Sequence, residues 1–356
     1  MHALRDTLMP RSDCIILFNA AASRHAPFSR EKVYPANLVR EEVGAIEESL
    51  RELGFFPAVL TVDQFSKDLV SELSRLAPKF VFNLCEEING NCEQEMCVAG
   101  LFELMGIPYT GSGPLALGLA LNKFRVKQVL RAAGVPAPRG YLCCFGQRLR
   151  ALATRRFPVI VKPVHEDASL GINADSVCRD SRQLEDQVAY IHDVYRQDAL
   201  IEEYLEGREF NVAILGGREA QVLPISEIDF SRMPPGEPRI VSYRAKWDEE
   251  SVEFQSTVPV CPADVPSRLA SRIRSVALRS HRCIGCADYS RVDMRTDSGG
   301  NVYVLEVNPN PDISPRAGFA RAARAAGLTY TDMIARIIQS AVERATKIPA
   351  VAYAIS

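Results

Sequence analysis

The chain has 356 residues, of which 47% are hydrophobic and 24% charged, and its formal net charge is −2. This length and composition are typical of globular proteins with one large domain or two to three smaller ones. The interspersed, nearly balanced charges lack the footprint of a protein that binds nucleic acid or an anionic membrane, so we expect small-molecule partners.

The N-terminal third alternates predicted strands with predicted helices. In chain order these are Cys14–Phe18, a helix over about 35–53, Pro57–Val62, a helix over Ser66–Leu76, and Phe80–Leu84. This order is typical of an open parallel α/β sheet. Helices over about 92–105 and 114–133 follow, and the first domain is predicted to end near residue 118.

The middle of the chain contains a short predicted strand, Phe157–Pro163, with Lys162 near its end. A lysine at the end of a buried strand is costly unless an anion meets it, so Lys162 is a candidate phosphate ligand. The following loop contains Ser169 and Gly171, whose backbone can approach phosphate oxygens. The alternative is a lysine whose head group reaches solvent from the strand end.

The strand that begins at Val302 ends with alternating polar residues. Glu306 and Asn308 face the same side of this strand, and Asp293 in the preceding run SRVDM can lie beside them. Two carboxylates and an amide oxygen are hard ligands that suit Mg²⁺ with a nucleoside triphosphate. The pattern therefore predicts a magnesium–nucleotide site.

Other features of the sequence do not indicate a catalytic or metal-binding role. The ten cysteines are irregularly spaced, with one CxxC at Cys283 and Cys286, and are interpreted as plain thiols. The histidines lack the HExxH spacing of a zinc site. No apolar run approaches roughly 18 residues, and residues 1–13 carry charges where a signal peptide needs an apolar core. We expect a cytoplasmic protein.

The order of several segments resembles the D-alanine–D-alanine ligase family of the ATP-grasp superfamily, from about residue 81 to 337. In sequence these segments are NKFRVK, VIVKP, HEDASLGI, EEYLEGREF, AKW, SRVD and LEVNPNP. The resemblance implies an α/β ATP-grasp fold, in which two α+β domains sandwich ATP behind an N-terminal open parallel domain. We expect residues 1–118, 119–214 and 215–356 to form the N-terminal, central and C-terminal catalytic domains.

The resemblance also implies ATP-binding residues. Lys123 and Lys162 match lysines that contact ATP phosphates, Lys246 matches the lysine that reaches the γ-phosphate, and Ser169 lies in the phosphate loop. The segment that receives the adenine and ribose comprises Glu202, Glu203, Tyr204, Leu205 and Glu209.

The catalytic metal and oxyanion groups are implied in the same way. Asp293, Glu306 and Asn308 match ligands of Mg²⁺, with two ions expected and Mn²⁺ as a substitute. Arg291 matches the arginine that stabilises the anionic transition state, a role for which a permanently charged guanidinium is well suited.

The substrate side departs from the family pattern. The family's N-terminal glycine-rich segment, with its ammonium-binding glutamate, is replaced by residues 19–34. Glu86 is a candidate replacement, although a solvated acidic loop explains it equally well. Trp247 stands where a tyrosine is common, Ala168 where a serine is common.

The residues that hold the second substrate also differ. Ala317 and Gly318 replace a serine and a leucine that hold the second D-alanine's carboxylate, and neighbouring Arg316 is a candidate clamp. Because the nucleotide residues are kept, these departures predict an active ligase with altered, bulkier substrates.

We therefore expect an ATP-dependent carboxylate–amine ligase that forms a dipeptide or amide through an acyl phosphate in the biosynthesis of a specialised metabolite, and a homodimer as in the family. The loop over Asp229–Pro238 is expected to act as a lid. The alternatives are a nucleotide-binding regulator without ligase activity, and an acid kinase.

Overall fold

The computed structural model describes residues 12–20, 36–147, 149, 156–217 and 219–346. The charged start of the chain lies outside these ranges, except for its last two residues. Most of the segment that replaces the family's glycine-rich loop, residues 21–34, also lies outside them.

The first three strands form the predicted parallel sheet, and their order is β2–β1–β3. Its elements are β1 (Cys14–Phe18), α1 (Ala36–Glu52), β2 (Pro57–Thr61), α2 (Lys67–Leu76) and β3 (Phe80–Leu84). All side chains of β1 are buried, because alternate residues enter the apolar cores on the two faces of the sheet. The predicted class of N-terminal domain is confirmed.

Helices α3 (Glu95–Met105), α4 (Pro114–Ala120) and α5 (Lys123–Ala132) follow. The prediction of one continuous helix over 114–133 is wrong, since the helix is interrupted at Leu121 and Asn122. Asn122 has an extended backbone, and its side-chain oxygen accepts a hydrogen bond from the Arg125 backbone N–H at 2.9 Å. An asparagine that caps a new helix competes with the continuing helix. The break makes Lys123 the first residue of α5.

The central sheet is antiparallel, in the order β4–β7–β5–β6. Its strands are β4 (Gly140–Cys143), β5 (Val159–Pro163), β6 (Val177–Cys178) and β7 (Ala199–Glu203), with helix α6 (Ser181–Tyr190) packed on one face. Strands β5 and β7 run antiparallel, with Ile160 opposite Glu202 and Lys162 opposite Leu200. The Lys162 and Glu202 side chains are therefore diagonal neighbours on one face, with Nζ 3.5 Å from Oε2.

The largest sheet is also antiparallel and has the order β11–β10–β8–β12–β13, with β9 added to β8. Its strands are β8 (Glu209–Leu215), β9 (Gln221–Val222), β10 (Ser226–Asp229), β11 (Val258–Val260), β12 (Tyr289–Thr296) and β13 (Val302–Asn308). The associated helices are α7 (Tyr243–Trp247), α8 (Val252–Ser256), α9 (Ser267–Ile284), α10 (Gly318–Ala325) and α11 (Tyr330–Thr346). Strand β8 straddles the predicted boundary at residue 214, and the domain division stays a prediction.

Two further features concern the described residues as a whole. Within those ranges, no helix has the length and apolar character needed to cross a membrane. All ten cysteines are free thiols, and Cys283 and Cys286 pack against the apolar core of the large sheet. Their contacts agree with the interpretation of these residues as small apolar side chains.

Candidate active site

A cavity of about 660 Å³ is lined by residues from the N-terminal domain, the central sheet and the large sheet. Every site residue predicted from the sequence lines it. They are Glu86, Lys123, Lys162, Ser169, Glu202, Glu203, Tyr204, Leu205, Glu209, Lys246, Trp247, Arg291, Asp293, Glu306, Asn308, Arg316, Ala317 and Gly318. Residues that are up to 232 positions apart in the chain therefore share one cavity.

Side-chain oxygen atoms that could bind a metal ion, called the oxygen donors below, lie close together where β12 and β13 pair. The register places Asp293 opposite Glu306 and Arg291 opposite Asn308. On the other side of β12, Asn211 is opposite Asp293 and donates a hydrogen bond to its Oδ1 at 2.8 Å. Among the described residues there is no cluster of three or more His, Cys, Asp or Glu in a metal-binding arrangement. Two carboxylates with amide oxygens nevertheless fit Mg²⁺, which needs few protein ligands when phosphates and water supply the rest.

Arg291 contacts two of these oxygen atoms directly. Its Nε and Nη2 each donate to one carboxylate oxygen of Asp293, both at 2.8 Å. Burial opposes the charge on Arg291, but Asp293 and Glu306 outweigh burial and raise its pKa above the ordinary value. Such a two-pronged contact fixes the plane of the guanidinium beside the oxygen donors.

Lys123 extends into the same group from the start of α5. Its Nζ lies 3.1 Å from Asp167 Oδ1 and 3.5 Å from Glu306 Oε1, and it also donates to the Glu166 carbonyl. Burial would lower the pKa of Lys123, but these carboxylates raise it above its usual value. The ammonium therefore stays charged inside the cavity, where it can meet an anion.

Another part of the cavity lining, called the apolar slot below, combines apolar walls with a buried carboxylate. Ile160 and Ile240 are buried together, and Ile172 and Tyr204 pack against them. Glu202 has 1% of its side chain exposed and lies beside this apolar slot. Apolar walls edged by a hydrogen-bond acceptor are suited to a base that carries an amino group.

Glu209 lies between the slot and the oxygen donors. Its Oε2 is 3.3 Å from Nη1 of Arg295, whose Nε donates to the Gly207 carbonyl at 3.1 Å. Arg295 also donates to the carbonyl of Arg239 and stacks over the Tyr204 ring at 5.3 Å. One buried arginine thus connects the slot, Glu209 and the segment that follows the expected lid loop.

The loop after β5 has an unusual backbone. Ala168 and Ser169 have φ values of 53° and 64°, in the left-handed region that non-glycine residues rarely adopt. Nε1 of Trp247 donates to the Ala168 carbonyl at 3.2 Å. The preceding residue, Lys246, lines the same cavity, and its pKa is lowered by burial and by the nearby Arg291 charge. Short helix α7 therefore both holds this loop and supplies a lysine.

The third region of the cavity lies next to the N-terminal domain. Glu86 is exposed to water in this crevice, and desolvation by the crevice walls, followed by the charge of Asp312, raises its pKa to about 7. Arg316 is 86% exposed and pairs with Glu41 at 3.3 Å. A Cβ placed on Gly318 would meet nothing within 4 Å, so there is open space beside the start of α10.

Sequence reasoning missed several cavity residues, namely Asp167, Asn211, Arg295, Asp312 and Arg321. Strand alternation could have found Asn211, because it lies two residues after Glu209 on β8 and faces the same side. Arg295 is likewise two residues beyond Asp293 on β12. Asp167 and Asp312 lie in loops, where no periodicity marks the orientation of a side chain. Arg321 lies on α10 three residues after Gly318, so helical spacing from that residue could have found it.

Together, the two antiparallel sheets and the cavity rich in lysines and oxygen donors define the class of protein as an ATP-dependent ligase with the ATP-grasp fold. The family model for the C-terminus of D-Ala–D-Ala ligases matches residues 147–339. A D-alanine–D-alanine ligase of Nitrosomonas europaea is 32% identical over 257 residues, which cover 72% of this chain and 78% of that protein. The chain belongs to the D-alanine–D-alanine ligase family, whose members use ATP to form an amide bond.

Two further comparisons extend this result. The uncharacterized protein y4sG of Sinorhizobium fredii is 37% identical over 286 residues, 78% of this chain and 81% of its own length. The crystal structure of the Bacillus anthracis D-alanine–D-alanine ligase complexed with ATP has a TM-score of 0.73 and 22% identity. That match covers 94% of this chain and 99% of the other. The predicted ATP-grasp fold is confirmed.

Proposed function

We propose that this protein joins a carboxylic acid to an amine through an acyl phosphate, with substrates other than two molecules of D-alanine. One observation carries the proposal. The residues expected to handle ATP and the transition state line one cavity, and the residues that depart from the family pattern line the same cavity in two places, at the Trp247–Ala168 contact and next to the N-terminal domain. The nucleotide chemistry is thus retained while substrate recognition differs.

The polar residues of the cavity fit the first chemical step. A carboxylate is a poor electrophile at neutral pH, so transfer of the γ-phosphoryl group to one of its oxygens supplies a leaving group. Lys123, Lys162 and Lys246 line the cavity and would bind the phosphates, with Ser169 in the adjoining loop. Asp293, Glu306 and Asn308 would hold Mg²⁺, two ions in our proposal with Mn²⁺ as a substitute. When bound, the metal neutralises charge that accumulates on the phosphates.

Arg291 fits the second step. Attack of the amine on the acyl carbon gives a tetrahedral oxyanion, and the guanidinium of Arg291 would donate to it. Because Asp293 fixes the orientation of Arg291, the donor is in place before the charge develops. We assign adenine and ribose to the slot formed by Glu202, Glu203, Tyr204 and Leu205 with Glu209 beside it.

The substrate end supports a larger acceptor than D-alanine. Gly318 leaves open space at the start of α10, and Ala317 offers no side-chain hydroxyl to a carboxylate. In our proposal Arg316 would release Glu41 and bind the acceptor's carboxylate, and Glu86 would bind an ammonium group. Trp247 holds the Ala168 carbonyl in place, so the loop retains its shape although Ala168 lacks a hydroxyl.

Arg291 also bears on the alternatives. A regulator that only binds ATP does not need an oxyanion donor, so the retained arginine favours an active ligase. An acid kinase needs the same phosphate and metal residues but no amine pocket, and product analysis separates it from a ligase. We further propose a cytoplasmic homodimer that binds neither nucleic acid nor membranes, as a biosynthetic enzyme for a specialised metabolite.

The test measures ATP turnover with Mg²⁺ across a panel of amino acids and amines, singly and in pairs, with mass spectrometry of the products. A new amide mass with release of ADP and phosphate supports the proposal and names the substrates. Arg291→Ala should lower the rate by about 10²- to 10³-fold. Formation of D-alanyl-D-alanine as the preferred product would contradict altered substrates, and a phosphorylated acid as the final product would favour a kinase.

A further inference from the structure

A buried lysine, Lys127, contacts the carboxylate of Glu202 at the edge of the apolar slot. Lys127, one helical turn after Lys123 on α5, has 2% of its side chain exposed. Its Nζ lies 2.7 Å from Oε1 and 2.8 Å from Oε2 of Glu202. Lys162 lies on the other side, with its Nζ 3.5 Å from Oε2 of Glu202. Two cations therefore flank one buried anion.

This arrangement sets the protonation state of Glu202. Burial alone favours the neutral acid, yet the charges of Lys127 and Lys162 outweigh it and lower the pKa of Glu202. A carboxylate that has lost its proton can only accept hydrogen bonds. Lys162 is nearer the cavity and would be drawn toward phosphate when a nucleotide binds, whereas Lys127 does not line the cavity. When a nucleotide is bound, Lys127 is thus the lysine that continues to pair with Glu202.

We propose that Lys127 is a positioning residue for nucleotide selection. It keeps Glu202 an anion at the edge of the apolar slot, so that the site binds a purine with a 6-amino group and rejects one with a 6-oxo group. A 6-amino group donates to the carboxylate, while a 6-oxo group would place two acceptors against each other. The inference rests on the placement of adenine proposed above. Lys127 itself does not touch the nucleotide.

The packing around Glu202 offers a second, independent means of disturbing it. Gly140 on β4 pairs with Glu202 on β7. A Cβ at Gly140 would lie 3.0 Å from Cγ of Glu202 and 2.7 Å from the Ile201 carbonyl oxygen, so either the side chain or the strand must shift. Gly140→Ala should displace Glu202 while leaving Lys127 intact.

The experiment measures binding, which does not require the acid or the amine to be known. Mg–ATP and Mg–ITP are titrated by calorimetry into the wild type, Lys127→Met, Glu202→Gln and Gly140→Ala. ITP differs from ATP in its 6-oxo group and in the hydrogen that N1 carries with it. The wild type should bind ATP at least about tenfold more tightly than ITP, the factor expected from one hydrogen bond to a charged acceptor.

In Lys127→Met, methionine fills similar space without a charge, so Glu202 gains a proton and can donate to a 6-oxo group. The ATP-to-ITP affinity ratio should fall by about tenfold. Glu202→Gln is the positive control, because an amide can present either its oxygen or its nitrogen to the base. Gly140→Ala should lower the same ratio and is a second control on Glu202, while Lys127→Gln, which also removes the charge, supplies the test if Lys127→Met does not fold.

Equal losses of ATP and ITP affinity in Lys127→Met, with an unchanged ratio, would show a merely structural role and overturn the inference. A wild type that binds the two nucleotides equally would also overturn it. A wild type that binds neither nucleotide would instead contradict the proposed nucleotide site. The two failures are therefore distinguishable.

Discussion

Asp288, the residue immediately before β12, offers a test of how the N-terminal domain and the last helix are held together. Its side chain is fully buried, and its backbone φ is 59°. Oδ2 accepts hydrogen bonds from the Gly111 backbone N–H at 3.0 Å and from Nη2 of Arg344 at 2.9 Å. Oδ1 accepts one from the Ser340 hydroxyl at 2.6 Å. One carboxylate therefore joins three separate segments of the chain.

Asp288→Ala should destabilise the protein substantially. Removing one partner of a buried ion pair typically costs about 3–5 kcal/mol, because the remaining charge and donors lose their acceptor. Arg344 keeps the carbonyls of Tyr109 and Gly111, at 2.8 and 2.9 Å, which favours the lower end of that range. The left-handed backbone adds to the cost, since alanine tolerates it less well than aspartate. We expect a loss of about 3–4 kcal/mol.

Asp288→Asn is the matched control. Its Oδ1 can accept from Gly111 and Arg344, while its Nδ2 can donate to the Ser340 hydroxyl, which rotates to accept. Burial raises the pKa of Asp288, with Arg344 opposing the shift, so ionisation of this carboxyl does not stabilise the fold and loss of the charge alone should cost little. Asparagine also tolerates a left-handed backbone. We therefore expect Asp288→Asn to cost only about 1 kcal/mol, close to one ordinary hydrogen bond.

Urea unfolding followed by far-UV circular dichroism measures these free energies. Lys79→Met serves as a surface reference, because Lys79 is 68% exposed and its ion pair with Asp13 at 3.0 Å should contribute about 0–1 kcal/mol. The reasoning would be refuted if Asp288→Ala cost no more than Lys79→Met. It would also be refuted if the alanine and asparagine variants were equally unstable, because geometry would then not explain the difference.

Three further predictions concern the cavity. Because the pKa of Glu86 in the folded protein is raised to about 7, its contribution to stability should decline as pH rises from about 4.5 to 7. The melting temperature should therefore differ less between pH 5 and pH 7.5 in Glu86→Gln than in the wild type. Trp247→Phe removes the hydrogen bond to Ala168 and should raise ATP hydrolysis without amide formation, measured as the ratio of ADP to product; an unchanged ratio would argue against a loop held by Trp247. Arg295→Met removes the partner that holds Glu209 and should weaken Mg–ATP binding by about tenfold in calorimetry. The same substitution should reduce the affinity for 2′-deoxy-ATP and 3′-deoxy-ATP by a smaller factor. Equal reductions for all three nucleotides would contradict a role in ribose binding.

Much of the site could be predicted because strands impose a simple rule on side-chain direction. The alternation of Glu306 and Asn308 predicts a shared face, and the observed register places Asp293 directly opposite Glu306. The parallel N-terminal sheet followed equally well from its alternating strands and helices. These features depend on local periodicity and on the order of elements, both of which are visible in one sequence.

Other features could not be predicted because they depend on contacts between distant segments. Lys127 looks like one more charged residue on an amphipathic helix, and only its packing against β7 reveals a buried partner, Glu202. The break before Lys123 depends on whether Asn122 continues a helix or caps the next one, and both conformations are available to asparagine. A propensity argument cannot decide between them, but tertiary packing can.

The two ends of the cavity are held with different strength, and this bears on how a ligase can change substrates. Glu202 and Lys123 are buried and bound to several charged groups, so a substitution there leaves uncompensated charges in the interior. Arg316 and Glu86 are exposed, and Gly318 borders open space, so substitutions there disturb few packed contacts. Under the proposed assignment, recognition of the acid and amine can therefore diverge at little cost to folding, whereas a change at the buried residues proposed to bind the nucleotide would also lower stability.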